Sequence, residues 1–268
     1  MTASVLYEKR DGIGWIRINR PRVRNAVSSE EIRLLGERLR EAAGDEAVRA
    51  IVIAGAGDSF SAGADLGEMV REFDDLGSGR LTISGLIETT TEGLQEVARL
   101  IRGADKVVVA SVCGYALGAG CEIALDCDLV VAAEDARFGF PETRAGMSVT
   151  GGVTKLLAQA IGAARARDLF LTGRFLDAEE AYEIGMVNRL VPAGEADEAA
   201  EALVREVLRG APLAVLAHKR LAQQALEADM GATLNLEKQT IGVLCASEDA
   251  REAASAFVEK REPRFRGR

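Results

Sequence analysis

Val107–Ala133 reads VVVASVCGYALGAGCEIALDCDLVVAA, and this stretch decides the fold. Val107–Val112 is an apolar run of strand length, Gly118–Leu125 a short helix behind a glycine turn, and Cys127–Ala133 a second apolar strand. Two buried strands joined through a helix require a crossover, which implies a largely parallel sheet with both faces covered. The alternation extends upstream. Strands are expected over Val5–Lys9 and Ile13–Asn19, the second ended by Arg20-Pro21. Ser28-x-x-Glu31 is a capping box, opening a helix with Ile32, Leu35 and Leu39 on one stripe. Arg49–Ala54 is a short strand broken by Gly55-Ala-Gly57. Glu68–Leu100, with Gly77-Ser-Gly79 and Thr89-Thr-Thr91, reads as two helices interrupted by at least one exposed loop. From about residue 195 only helical periodicity remains, broken at Gly210-Ala-Pro212 and at Gly231. The expected architecture is an α/β core over residues 1–194 followed by a helical segment over 195–268.

Composition excludes several chemistries. The 268 residues carry 33 Lys and Arg against 42 Asp and Glu, a formal net charge of −9. That acidity argues against nucleic acid as the main partner. The single histidine, His218, leaves no multi-His zinc site, and no metal is expected. A Ser-His-Asp triad would have to run through His218, and no G-x-S-x-G elbow precedes it. Cys113, Cys121, Cys127 and Cys245 lie in or beside apolar runs without C-x-x-C spacing. They read as buried free thiols in a reducing compartment. The opening MTASVLYEKRDG has no signal-peptide layout, and the longest apolar run, Val107–Cys121, is too short to span a bilayer. A cytoplasmic protein without membrane contact is expected.

Three segments bring glycine turns and acids to strand ends. In Ser59-Phe-Ser-Ala-Gly-Ala-Asp-Leu66, small residues allow backbone N–H groups close to a ligand, and Asp65 suits the start of a helix. A tight strand-to-helix turn with Asp65 as its cap would look the same. In Gly114-Tyr-Ala-Leu-Gly-Ala-Gly-Cys-Glu122, a helix start presents free N–H groups favourable to negative charge. Glu122 follows about one turn later. A carboxylate in an apolar run is expensive unless it has a partner or a role, although close helix packing would also explain the glycines. In Phe138-Gly-Phe-Pro-Glu142, the second acid follows a constrained turn. Two carboxylates delivered to one place by separate strand ends are suited to moving protons and positioning water. An exposed loop glutamate is the alternative at Glu142.

These residues resemble the crotonase, or enoyl-CoA hydratase/isomerase, superfamily. The resemblance runs through Asn19-Arg-Pro-Arg-Val-Arg-Asn25-Ala26, Phe60–Leu66, Gly114–Glu122, Phe138–Glu142, Leu171-Thr-Gly173 with Ala178, Ala181 and Gly185-Met-Val-Asn188, and Ala256–Arg261. It implies a spiral of β-β-α turns with C-terminal helices that build a homotrimer or a dimer of trimers. It implies an acyl-CoA thioester substrate from fatty acid metabolism, and no separate cofactor, because CoA belongs to the substrate. The N–H groups of Ala64 and Ala119 would form the oxyanion hole, a role that fits an enolate oxygen. Ala62, Gly63, Ala64, Asp65 and Leu66 would line the path of the CoA moiety. Phe257 and Lys260 would reach its nucleotide, and the basic tail Lys260–Arg268 would suit phosphates, unless it is simply solvated.

With both Glu122 and Glu142 present, the resemblance implies hydration of a 2-enoyl-CoA, or the reverse dehydration. A double-bond isomerase, or another acyl-CoA lyase or hydrolase of the same fold, is the alternative. A non-catalytic acyl-CoA- or RNA-binding member is a more distant one. Within the family's pattern, Ala119 stands at a frequent glycine and Gly67 where many hydratases carry lysine. The run Thr143–Thr154 replaces a more usual P-G-A-G-G-T form near the acyl chain.

Overall fold

Glycine and proline punctuation cuts the chain into short elements that alternate between strand and helix, as a computed structural model describing residues 3–268 shows. β1 (Val5–Arg10) and β2 (Ile13–Ile18) form an antiparallel hairpin in which Arg10 faces Ile13. Pro21–Val23 is a single 3₁₀ turn, as proline after a strand dictates. α1 (Ser29–Gly44) starts with the expected capping box, Ser28 to Glu31, and buries Ile32, Leu35 and Leu39. β3 (Ala50–Gly55) follows, then α2 (Leu66–Gly77), α3 (Ile83–Leu86) and α4 (Glu92–Gly103).

The decisive stretch supplies β4 (Val107–Val112), β5 (Tyr115–Leu117), α5 (Ala119–Asp126) and β6 (Leu129–Ala133). Next come β7 (Arg137–Gly139), a 3₁₀ turn over Pro141–Ala145, α6 (Val153–Ile161) and α7 (Ala163–Thr172). β8 (Phe175–Asp177), α8 (Ala178–Glu183), β9 (Arg189–Val191) and α9 (Ala196–Val207) complete the α/β part.

Two sheets result, ordered β1-β2-β3-β4-β6-β9 and β5-β7-β8. The pairs β2·β3, β4·β6 and β6·β9 are parallel, the outcome that buried crossover strands require. Each β-β-α turn gives one strand to each sheet: β4 and β5, then β6 and β7. β3 and β4 are buried along their whole lengths. Phe60, Phe138 and Phe140 are fully buried in the core.

Contacts divide the chain into two compact units, one of residues 1–104 with 108–201 and one of 105–107 with 202–268. The second contains α10 (Pro212–Ala225), α11 (Met230–Cys245) and α12 (Glu248–Glu259). Lys219 of α10 is buried within it and donates to the Lys106 carbonyl at 2.9 Å.

Several expectations need correction. The Thr89–Thr91 run is no loop: Ile87–Thr91 forms a π-helical turn that runs on into α4, and the break falls near Gly79. Gly231 does not break a helix; it lies in the first turn of α11, where Asp229 accepts the Ala232 N–H as cap. Cys245 is exposed and Cys113 half-buried, so only Cys121 and Cys127 fit the expectation of burial. Acids of α12 engage two of the tail's arginines. Arg261 forms a two-point pair with Glu252, and Arg268 pairs with Glu248. The buried Asp249 carboxylate accepts the Arg266 and Gly267 N–H groups.

Candidate active site

The first loop follows β3 and is organised by Asn25. Asn25 is fully buried and sits at φ +56°, a left-handed conformation that asparagine tolerates better than most residues. Its Nδ2 donates to the carbonyls of Ser59 (2.6 Å) and Ala56 (2.9 Å), and its Oδ1 accepts the Arg20 N–H. The Ser61 hydroxyl donates to the Asn25 carbonyl at 2.8 Å and accepts the Gly63 N–H. These bonds fix the turn before the chain reaches Ala64.

Parallel bridging then sets the direction of the Ala64 amide. Val27 N–H donates to the Gly63 carbonyl and the Val27 carbonyl accepts the Asp65 N–H. This is a parallel bridge between Val27 and Ala64, in which Ala64's own N–H points to the opposite side. Gly63 adopts φ +91°, and a Cβ there would lie 2.6 Å from the Leu117 carbonyl oxygen. Asp65 caps α2 as expected, accepting from Gly67 N–H and Glu68 N–H.

The second loop is stitched to the first. Ser61 N–H donates to the Tyr115 carbonyl, and Leu117 N–H donates to the Ser61 carbonyl. Gly118, at φ +52° and ψ −125°, turns the chain into α5. Ala119 is the first residue of α5, so no preceding turn accepts its N–H. Ala119 N lies 3.6 Å from where a Cβ on Gly63 would stand. Two outward amides, Ala64 and Ala119, therefore flank one opening, and neither has a hydrogen-bond partner among the described residues.

The two glutamates reach the same place. Glu122, 2% exposed, accepts the N–H groups of Gly151 and Thr150, the latter at 3.0 Å. Burial is the dominant influence and pushes its carboxyl up to about 7; the Gly151 amide opposes this and the Glu142 charge adds to it. Glu142 lies in the 3₁₀ turn after β7. Its Oε1 is 2.9 Å from where a Cβ on Gly118 would stand, and its buried Oε2 has no hydrogen-bond partner. Burial raises its carboxyl too. Two carboxyls held above their ordinary range, beside two unpartnered amides, can exchange protons and hold a developing oxyanion.

Among the sequence candidates, Ala62–Leu66, Ala119, Glu122 and Glu142 gather in the first unit, whereas Phe257 and Lys260 belong to the second. Phe257 is 86% exposed, and Lys260 ends α12 at φ +54°. Three features escaped the sequence reading. The Thr150 and Gly151 amides hold Glu122 from a segment read only as a wall. Asp126 is a second buried acid one turn after Glu122, pushed up to about 8 by burial, with an unpartnered Oδ1. Its sequence signal was another carboxylate within an apolar run. Arg20, read only as part of a motif, bonds both Glu31 and Asp65. Among the described residues no cluster of His, Cys, Asp and Glu could hold a metal ion, and no helix is long and apolar enough to cross a membrane.

Paired glycine loops set two unpartnered amides beside the buried Glu122 and the half-buried Glu142 on a β-β-α spiral. Residues 8–268 match the family model described as Enoyl-CoA hydratase/isomerase. The short-chain-enoyl-CoA hydratase of Clostridium acetobutylicum is 34% identical, over 96% of this chain and 95% of that protein. The 2,3-dehydroadipyl-CoA hydratase of Escherichia coli is 35% identical, over 99% and 100%. The crystal structure of an enoyl-CoA hydratase from Bacillus anthracis superposes with a TM-score of 0.91 at 28% identity, covering 99% of this chain and all of that one. The chain belongs to the enoyl-CoA hydratase/isomerase family and has its crotonase fold, an α/β spiral followed by C-terminal helices.

Proposed function

We propose that this enzyme adds water across the 2,3 double bond of a 2-enoyl-CoA thioester, with Glu122 and Glu142 as the proton-handling pair. The observation that carries the reading is the meeting of those two raised carboxyls with the Ala64 and Ala119 amides. Glu142 Oε2 has no partner, so it is the atom free to take a proton from water. Glu122 is held by Thr150 and Gly151 and orients that water. As the water oxygen bonds to the β-carbon, one water proton passes to carboxylate. The π electrons move toward the thioester oxygen, where the two amides hold the charge. The α-carbon then takes a proton from the carboxyl pair, and the sum is addition of one water.

Ala62–Leu66 would follow the CoA moiety, with Phe257 and Lys260 at its nucleotide. Arg71 Nη1 lies 3.7 Å from where a Cβ on Gly67 would stand, which makes it the cation available where many relatives carry lysine. No cofactor beyond the substrate's CoA is needed for these steps. Helix α11 buries none of its residues, and Met230, Leu234 and Ile241 form one exposed apolar face. That face supports assembly of this chain into trimers or paired trimers. The four free thiols suit the reducing cytoplasm.

The test is a panel of 2-enoyl-CoA thioesters from four to sixteen carbons, with products read by mass. A gain of one water is expected, and Glu142→Gln should lower the rate by about 10²–10⁴-fold. A product of unchanged mass would assign isomerisation instead.

A further inference from the structure

We propose that Arg20 is a positioning residue for the oxyanion hole, a clamp that fixes the direction of the Ala64 amide; this rests on the hydratase reading of the site. Arg20 lies 26% exposed between two helix starts. Its Nη1 donates to the Ala26 carbonyl at 2.7 Å and to Glu31 Oε2 at 3.1 Å. Its Nη2 donates to Asp65 Oδ2 at 2.8 Å. Ala26 immediately precedes Val27, and Asp65 immediately follows Ala64. The guanidinium therefore joins the two flanks of the Val27–Ala64 bridge.

Each partner is itself fixed. Glu31, 7% exposed in its side chain, also accepts from Ser28 N–H and the Ser28 hydroxyl, which completes the start of α1. Asp65 divides its two oxygens: Oδ1 accepts from Gly67 and Glu68 at the start of α2, and Oδ2 takes Arg20. On either side of Ala64, the Gly63 carbonyl and the Asp65 N–H are held by Val27. Ala64 is thus the one residue of that run whose N–H is left unspent, and the clamp sets where it points. A planar fork keeps three acceptors at fixed mutual geometry, whereas a lysine ammonium reaches as a single point.

The clamp touches no reacting atom, so its removal should act on the transition state through Ala64. Donor displacement by about 1 Å can lower rates about 10²-fold. We expect Arg20→Met and Arg20→Lys to lower kcat for the best enoyl-CoA by about 10–100-fold, on the same grounds. KM, and the Kd of the saturated analogue butyryl-CoA, should stay within about threefold, because that ligand develops no oxyanion. Acetoacetyl-CoA supplies a signature that general loosening would not give. Bound as its enolate it absorbs in the near ultraviolet, and that band should weaken in both variants while butyryl-CoA still binds.

Should Arg20→Met fail to fold, Glu31→Gln keeps an acceptor for Ser28, removes the clamp's charged partner on α1 and should show the same split. Unchanged kcat and an unchanged enolate band would overturn the clamp, as would kcat and butyryl-CoA affinity falling together. An unsubstituted enzyme that turns over no enoyl thioester would instead defeat the hydratase reading. The acetoacetyl-CoA band would still decide the clamp.

Discussion

Glu122→Gln should abolish hydration yet stabilise the folded protein at alkaline pH relative to acid pH. The carboxyl is 2% exposed and pushed from an ordinary 4.5 up to about 7, chiefly by burial. Between those two values the folded chain holds a proton that the unfolded chain has released. Stability therefore falls as pH rises through that window and levels off above about 7. The interval corresponds to about 3 kcal/mol at about 1.4 kcal/mol per pH unit. Glutamine carries no charge and escapes this loss. Its Oε1 can accept from Gly151 and Thr150 where Oε2 does now. Its Nε2 then faces toward Thr150 N–H, a mismatch costing about 1–3 kcal/mol at every pH. The pH-independent part shifts the whole comparison, so the slope is diagnostic. Urea unfolding of both proteins from pH 5 to pH 8, at one protein concentration, should show the variant gaining about 2.5 kcal/mol on the unsubstituted enzyme across the range. Asp126 titrates in both proteins and largely cancels. A difference in stability that does not change with pH would refute the burial argument.

Two further changes probe the loops. Gly118→Ala places a methyl 2.9 Å from Glu142 Oε1 on a residue at φ +52°. It should cost about 1–3 kcal/mol from backbone strain alone, and steady-state kinetics should show hydration falling at least about tenfold as the carboxyl is displaced. Asn25→Ala strips the Ser59 and Ala56 carbonyls and the Arg20 N–H of their buried partner. At about 1–3 kcal/mol for each orphaned group, the loss should reach at least about 3 kcal/mol in urea unfolding. A loss below about 1 kcal/mol would mean that water replaces the side chain.

Local signals made much of this legible in the sequence. The capping box at Ser28 and Glu31, the Asp65 cap, and the apolar runs of β3, β4 and β6 each declare themselves within a few residues. So do the glycine turns that expose Ala64 and Ala119. What stayed hidden depends on distant partners. Thr150 and Gly151 reach Glu122 across nearly thirty residues, and no spacing rule links them. The Thr89–Thr91 run reads as part of a loop-forming stretch beside Gly77-Ser-Gly79, yet it forms a π-helical turn continuous with α4. The tail's arginines look free in sequence, since their acids, Glu248 and Glu252, lie a helix away. Asp126 was visible as a letter, but only the fold shows that it is buried.

Conflict in this molecule is concentrated rather than spread. Around Asn25, Arg20 and Ser61 every described polar contact has its answer, and local preference agrees with the fold. Along α5 and the turn that follows β7 the pattern reverses. Glu122, Asp126 and Glu142 are three acids withdrawn from water, and Asp126 and Glu142 each retain a buried oxygen without a partner. Burial raises all three. A chain folding for stability alone would place apolar residues there, since buried charge costs more than it returns. The satisfied network therefore serves the unsatisfied one. Rigid loops hold the amides, and the acids keep protons at pH values where exposed carboxyls would have lost them. The histidine usually relied on near neutral pH is absent from the site; His218 lies exposed on α10, its Nδ1 at the Ala214 carbonyl. Burial raises both glutamates, Glu122 to about 7, so the site handles protons without an imidazole.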